Sequence, residues 1–361
     1  MRTSAWSFVE PCKKCSKLEL FTAPYVIWGT GRVAQAFYRT YCAPEGKKPI
    51  FWVDSNAAKH GSRIAGIEVV APETFYQRSE DMYAKDGRLS VVIGATGIFL
   101  LEILSLLERR MVKAAVYSAV QLDAACYFSA EHARIEKIAQ KFSDEKSRHI
   151  YRSLIANMKS GRPVDFSLYE PNQYFGNDVI GELARGEVFV DAGVCHGEEI
   201  DRAIHGGGIF VHGFEPDAEN YAYLLKKYEG RDDVRIHPCA LWDKDERLVF
   251  QSNAATPSAS RLAGADAHEE AAGIAARPLD DVLQGAACTL LKMDIEGAEY
   301  NALLGAAKTI EQHRPKLAVC VYHSLEDYVR IPELLMGRYP FYRFFLRQHS
   351  ATSGETVLYA L

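Results

Sequence analysis

The sequence predicts an α/β protein built as two doubly wound, Rossmann-like domains in series. Three observations carry that expectation. Short apolar runs closed by Gly, Asp or Asn alternate with amphipathic stretches at helical spacing, as parallel strands joined by crossover helices do. The alternation occurs twice: in YVIWGTGRVAQAFYRTY from Tyr25, IFWVDSN from Ile50 and SVVIGAT from Ser90, and again from EVFVDAGVCHGEEI at Glu187 through IFVHGFEPD, VRIHPCAL, TLLKMDIEGAEY and KLAVCVYH. The length of 361 residues suits two domains of ordinary size. Between them, the polar stretch 129–161 has apolar residues at helical spacing and reads as one or two linking helices. The boundary is placed near residue 145, giving domains 1–145 and 146–361. Two late runs, FYRFFLRQ from Phe341 and ETVLYAL from Glu355, read as an antiparallel pair. The stretch 252–273, rich in Ala, Ser and Gly, has no strand period and reads as a long loop of the kind that often forms a lid.

Composition narrows the function classes. With 48% hydrophobic and 25% charged residues the chain is neither disordered nor fibrous. A net charge of −5 leaves no basic excess for a phosphate backbone, so a small-molecule substrate is expected and nucleic acid is not. The N-terminus lacks the apolar core of a signal peptide, and GIFLLEILSLLERR from Gly97 is interrupted by Glu102 and Glu108. A cytoplasmic protein with no membrane partner is therefore expected, with a homodimer left open. Eight scattered cysteines do not form a disulfide framework, and Cys12 and Cys15 make a CxxC without a second ligand pair, so no metal is assigned.

In the second half, Asp191-Ala-Gly193-Val-Cys-His-Gly197 follows an apolar strand and leads into a helix. Its glycines let the backbone turn sharply and approach a ligand. Glu215 ends the next strand, twenty-four positions on, where a carboxylate can accept from both hydroxyls of a ribose. Asp294 sits at the carboxyl end of LLKMD, the edge at which open α/β sheets bind ligands. With Glu296 and Glu299 it makes three carboxylates in six residues, which repel unless a metal, a cation or a substrate donor lies among them. Lys292 offsets part of that charge. His323 ends the following strand and has the side chain best suited to accept a proton at neutral pH. His196 and His212 lie near the glycine loop and are weaker candidates.

The blocks VDAGVCHGEE, FEPD, SASRL to PLDDVL, LKMDIEGAEY and VYHSLED fall in order across about 140 residues and resemble the FkbM family of S-adenosylmethionine-dependent methyltransferases. The resemblance implies a class I methyltransferase fold with a mostly parallel seven-stranded sheet and S-adenosylmethionine as cofactor. It implies that Asp191 faces the cofactor's amino group, that Gly193 and Gly197 shape the loop for its methionine end, and that Glu215 holds the ribose. It puts the adenine beside Ala240 and Leu241, with Asp243 as a possible acceptor for the ring's amino group. Asp294 and His323 would then form the catalytic pair, one removing a proton from an acceptor hydroxyl on a sugar or specialised metabolite and the other orienting it. Ser260 and Arg261 match a serine-containing stretch that would help close the site.

In the first half, Gly29-Thr-Gly31-Arg-Val-Ala34 lies between a strand and a helix, with Asp54 twenty positions after Ala34. This is a nicotinamide dinucleotide fingerprint, and a nicotinamide-dependent oxidoreductase is the alternative function. The stretch HGSRIAGIEVVAPETF, 60–75, resembles instead the small Rossmann-like domains at the front of sugar-modifying enzymes. No substrate-proton relay stands out in 90–145, so a binding or accessory role for a nucleotide or sugar is expected of this domain. A binding protein that has lost activity is a third reading, against which stand Asp191 and Glu215.

Overall fold

The computed structural model describes residues 19–95, 97–160, 169–251, 261–263, 273–350 and 354–361. Cys12, Cys15 and Ser260 lie outside them. The chain forms two compact units. One holds the described residues up to His132 and those of 155–160; the other holds Ala133–Leu154 and the described residues from 169 onward. Residue 145, the expected boundary, thus falls inside a segment of the second unit. The reason is hydrogen bonding: Ser143 N–H donates to Phe344 O, Leu346 N–H donates to Ser147 Oγ, and Tyr151 Oη donates to Tyr328 O.

The first unit contains β1 (Tyr25–Trp28), β2 (Trp52–Val53), β3 (Arg63–Ile64), β4 (Ile67–Val70), β5 (Ser90–Ile93) and β6 (Ala115–Ser118). Its helices are α1 (Arg32–Phe37), α2 (Pro72–Asp86), α3 (Gly97–Arg109) and α4 (Ala119–Ala130). The strand order β3-β4-β2-β1-β5-β6 is parallel apart from β3, which pairs antiparallel with β4. Strands β1 and β5 are buried throughout, as continuous apolar runs covered on both faces should be. The linking stretch forms α5 (His132–Lys141) and α6 (Glu145–Ser160).

The second unit contains a seven-stranded sheet of β7 (Val188–Ala192), β8 (Phe210–Phe214), β9 (Val234–His237), β14 (Leu290–Met293), β15 (Lys316–Cys320), β16 (Phe344–Gln348) and β17 (Thr356–Ala360). The order is β16-β17-β15-β14-β7-β8-β9, with β17 antiparallel to both neighbours and the other pairs parallel. The expected late antiparallel pair is β16 and β17. The helices are α7 (Glu198–Ile204), α8 (Ala218–Lys227), α9 (Leu279–Leu283), α10 (Glu299–Gly305), α11 (Ala307–His313) and α12 (Asp327–Arg338). Asp217 caps α8, its side chain accepting from the N–H groups of Glu219 and Asn220.

A small second sheet joins β10 (Ala240–Leu241), β11 (Glu246–Gln251), β12 (Arg261–Ala263) and β13 (Ile274–Arg277) in the order β10-β13-β11-β12. It corrects the reading of 252–273 as strandless, since Arg261–Ala263 pairs antiparallel with β11. The flanking residues 252–260 and 264–272 lie outside the described residues. Among the described residues no helix is long and apolar enough to cross a membrane.

Candidate active site

The order of the large sheet changes direction between β7 and β14, and ligands of open α/β sheets bind at the carboxyl ends flanking such a switch. The register sets Lys292 of β14 beside Asp191 of β7. Lys292 Nζ lies 2.9 Å from Asp191 Oδ1, with the two side chains 2% and 0% exposed. Nζ also donates to Gly193 O at 2.8 Å and lies 5.1 Å from the centre of the Tyr174 ring. Burial raises the Asp191 carboxyl to about 6 against the pull of Lys292. This corrects the expectation that Asp191 faces a cofactor's amino group: its carboxylate is closed off from the crevice, and Lys292 occupies the place of a cationic partner.

The glycines are needed, for a reason other than the one expected. Both have φ +84°, a region that favours glycine. A Cβ on Gly193 would stand 1.9 Å from Asp294 O, and one on Gly197 would stand 2.3 Å from Tyr228 Oη. The space left by the missing side chains is thus filled by the protein itself, and Gly193 lets the loops after β7 and β14 touch.

Glu215 follows β8 and is 5% exposed. Its Oε2 accepts from Cys195 N–H at 2.8 Å and its Oε1 from Asp217 N–H at 2.9 Å, with the Asn220 amide as a further partner. Burial raises its pKa, and these donors partly offset the rise. Among the described residues no ion pair reaches it. Ala240 and Leu241 lie past the third strand, which ends at His237, and belong to the small sheet; both are buried. The ring of His237 stacks on Phe214, 4.6 Å between centres, so the aromatic surface at this strand end is one that sequence reasoning missed. Asp243 and His196 are exposed. His212 is buried against His237, with Nδ1 and Nε2 3.0 Å apart.

Asp294 and His323 are brought together. His323 Nε2 lies 3.3 Å from Asp294 Oδ1 and 3.8 Å from Glu296 Oε2, while Nδ1 lies 2.9 Å from Glu299 Oε1. Glu299 is fixed in turn by the N–H groups of Ile295 and Gly297. Tyr174 Oη donates to Asp294 Oδ2 at 2.7 Å and Tyr322 Oη donates to Oδ1 at 3.2 Å. The His323 side chain is 3% exposed and that of Asp294 23%, so only the aspartate presents itself to a ligand. Burial would lower the pKa of His323, but Glu299 and Asp294 raise it well above its ordinary value. Burial would raise that of Asp294, but His323 and Lys292 hold it well below the carboxylate range. The two carboxylates thus favour the charged form of the imidazole, and Asp294 is the more exposed member of the expected catalytic pair. Tyr174 and Tyr322 escaped the sequence reading. Tyr174 is 120 positions from Asp294, and no motif announces it.

In the first unit, Gly29 has φ +102° and its missing Cβ would stand 3.1 Å from Gly94 O, so the turn forms as expected. Gly31 has φ −72° and an added Cβ would meet nothing. Asp54 is already engaged. Its Oδ2 accepts from Thr30 N–H, Thr30 Oγ1 and Lys59 Nζ, and its Oδ1 from Asn56 N–H. Burial opposes its ionisation, yet these donors, Thr30 foremost, hold its pKa below the ordinary value. A ribose would have to displace Lys59 or Thr30, so the oxidoreductase alternative finds no support in this crevice.

Residues 191–348 match the family model described as the methyltransferase FkbM domain. Among curated proteins none matches the chain. The crystal structure of methyltransferase FkbM from Methylobacillus flagellatus KT is similar over 94% of this chain and 90% of its own, with 21% identity and a TM-score of 0.65, and shares the fold. An rRNA methylase from Streptococcus thermophilus (13% identity, TM-score 0.32) covers 50% of this chain and 87% of its own. Aeropyrum pernix fibrillarin, in complex with S-adenosyl-L-methionine (11% identity, TM-score 0.33), covers 50% and 68%.

Proposed function

We propose that this chain, whose residues 191–348 match the methyltransferase FkbM domain model, transfers a methyl group from S-adenosylmethionine to a hydroxyl oxygen of a small molecule, a sugar or specialised metabolite. The observation that carries this reading is Asp294: a carboxylate at the switch point of the sheet, partly exposed, with its buried side held by Tyr174, Tyr322 and His323. The residues present fit the cofactor. Glu215 has backbone and amide donors but, among the described residues, no cation, which leaves it acceptor capacity for ribose hydroxyls. Ala240 and Leu241 would line the adenine, and the turn from Gly193 to Gly197 would pass the methionine end. When bound, S-adenosylmethionine supplies an electrophilic methyl group on a sulfonium.

The chain's own task is alignment and removal of one proton. Asp294 accepts a hydrogen bond from the acceptor hydroxyl and takes its proton. His323, behind it, fixes the carboxylate's orientation and balances the charge of Glu299. Lys292 and Asp191 hold the Gly193 turn against β14. The first unit presents or regulates the substrate.

The test is transfer of a labelled methyl group to a panel of sugar and metabolite acceptors. Label in hydroxyl acceptors, lost in Asp294→Asn, is expected. Label entering only amine or thiol acceptors would overturn the reading.

A further inference from the structure

We propose that Asp294, Glu296 and His323 bind a divalent first-row transition-metal ion. The role given to that ion rests on the methyltransferase reading; its binding does not.

The argument begins with the imidazole. His323 is nine-tenths buried, and its Nε2 is aimed between two carboxylates, with neither contact aligned as a hydrogen bond. A buried ring nitrogen without a well-aligned partner is costly, and a cation that displaces its proton takes up the Nε2 lone pair. The neighbouring oxygens stand at suitable separations. Asp294 Oδ1 is 3.3 Å away and Glu296 Oε2 3.8 Å, and ligands bonded at about 2.0 Å around a tetrahedral ion lie about 3.3 Å apart. A small inward movement of Glu296 closes the set.

The other nitrogen, Nδ1, meets Glu299 Oε1 at 2.9 Å, and Glu299 is 0% exposed and pinned by two backbone N–H groups. A buried carboxylate on the far side of a histidine is the outer-shell partner that fixes the tautomer and orientation of metal-bound imidazoles. Asp294, Glu299 and His323 also keep potential ligand atoms within 4.8 Å of one another. Glu296 has φ +57°, an uncommon conformation for a residue with a Cβ, and its Oε2 lies 3.8 Å from His323 Nε2.

Two carboxylates balance a dication. One imidazole nitrogen with two carboxylates suits Mn2+, Fe2+ or Zn2+ better than the all-oxygen coordination Ca2+ and Mg2+ prefer. Exposure gives the direction: the side chains of Asp294 and Glu296 are 23% and 26% exposed and that of His323 3%, so the open coordination positions face the crevice. An acceptor hydroxyl oxygen bound there would lose its proton more readily, the O–H bond breaking and the proton passing to the Asp294 carboxylate.

The experiment titrates the full chain, stripped with a chelator, with Mn2+ while free Mn2+ is followed by electron paramagnetic resonance. S-Adenosylmethionine binding is measured in parallel by equilibrium dialysis. One Mn2+ per chain is expected, displaced by Zn2+. Glu296→Gln and His323→Gln should each weaken binding by at least about tenfold, whereas Glu229→Gln, at an exposed site, should not. If the buried His323→Gln variant fails to fold, Glu296→Gln, whose side chain is partly exposed, decides alone. A wild type that binds S-adenosylmethionine but neither Mn2+ nor Zn2+ overturns the metal site and leaves the methyltransferase reading standing. Metal binding unaffected by both substitutions also overturns it. Metal binding without S-adenosylmethionine binding contradicts the cofactor assignment instead.

Discussion

The two units carry the same written fingerprint and build different crevices from it. In each, an apolar strand runs into a glycine turn and an acid closes the next strand. In the first, Asp54 is surrounded by Thr30, Asn56 and Lys59, so its charge is already matched. In the second, Glu215 has two backbone N–H groups and an amide but no cation among the described residues, and the nearby Lys292 is spent on Asp191. A glycine-and-acid pattern therefore gives the backbone path of a nucleotide crevice without giving the state of the acid. Side chains brought in from elsewhere decide that state.

The largest difference should appear at the two lysines. Lys292→Met leaves Asp191 as an uncompensated buried carboxylate, with an expected loss of about 3–5 kcal/mol in urea unfolding. Lys59→Met breaks a pair whose lysine is 43% exposed and should cost under about 1 kcal/mol. Equal losses would break the contrast. Next come the glycines. Gly193→Ala forces a Cβ against Asp294 O at positive φ and should cost about 3 kcal/mol or more. Gly31→Ala, with open space and ordinary φ, should stay within about 0.5 kcal/mol.

Acid sharpens the comparison further. His349 in the second unit is buried between Glu170 O and Tyr359 Oη, and burial lowers its pKa from 6.5 to about 4. A base depressed in the folded state contributes stability that is full above about 6.5 and is lost as pH falls through about 4, up to about 3 kcal/mol. Unfolding midpoints measured between pH 7 and 4 should fall accordingly, and His349→Gln should flatten the dependence.

Much of this was legible in the sequence. The strands around Asp191, Glu215, Asp294 and His323 announce themselves because buried parallel strands are continuous apolar runs with a break at the carboxyl end. Their partners did not. The pairing of Asp191 with Lys292 follows from the register of β14 on β7, and register between parallel strands a hundred residues apart leaves no local mark. Tyr174 reaches Asp294 from outside the matched family segment. Gly193 reads as a ligand-facing turn until the fold brings Asp294 O against it. The place of 133–154 was hidden because helical periodicity shows that a helix has an apolar face, not which core receives it.

The central claim is that the crevice at Glu215, and not the one at Asp54, holds the adenosyl cofactor. Equilibrium binding of S-adenosylmethionine to the wild type, Glu215→Ala and Asp54→Ala tests it most directly. The account predicts at least about tenfold weaker binding for Glu215→Ala, the effect of losing hydrogen bonds to a charged acceptor, and unchanged binding for Asp54→Ala. Full affinity in Glu215→Ala, or its loss in Asp54→Ala, would contradict it.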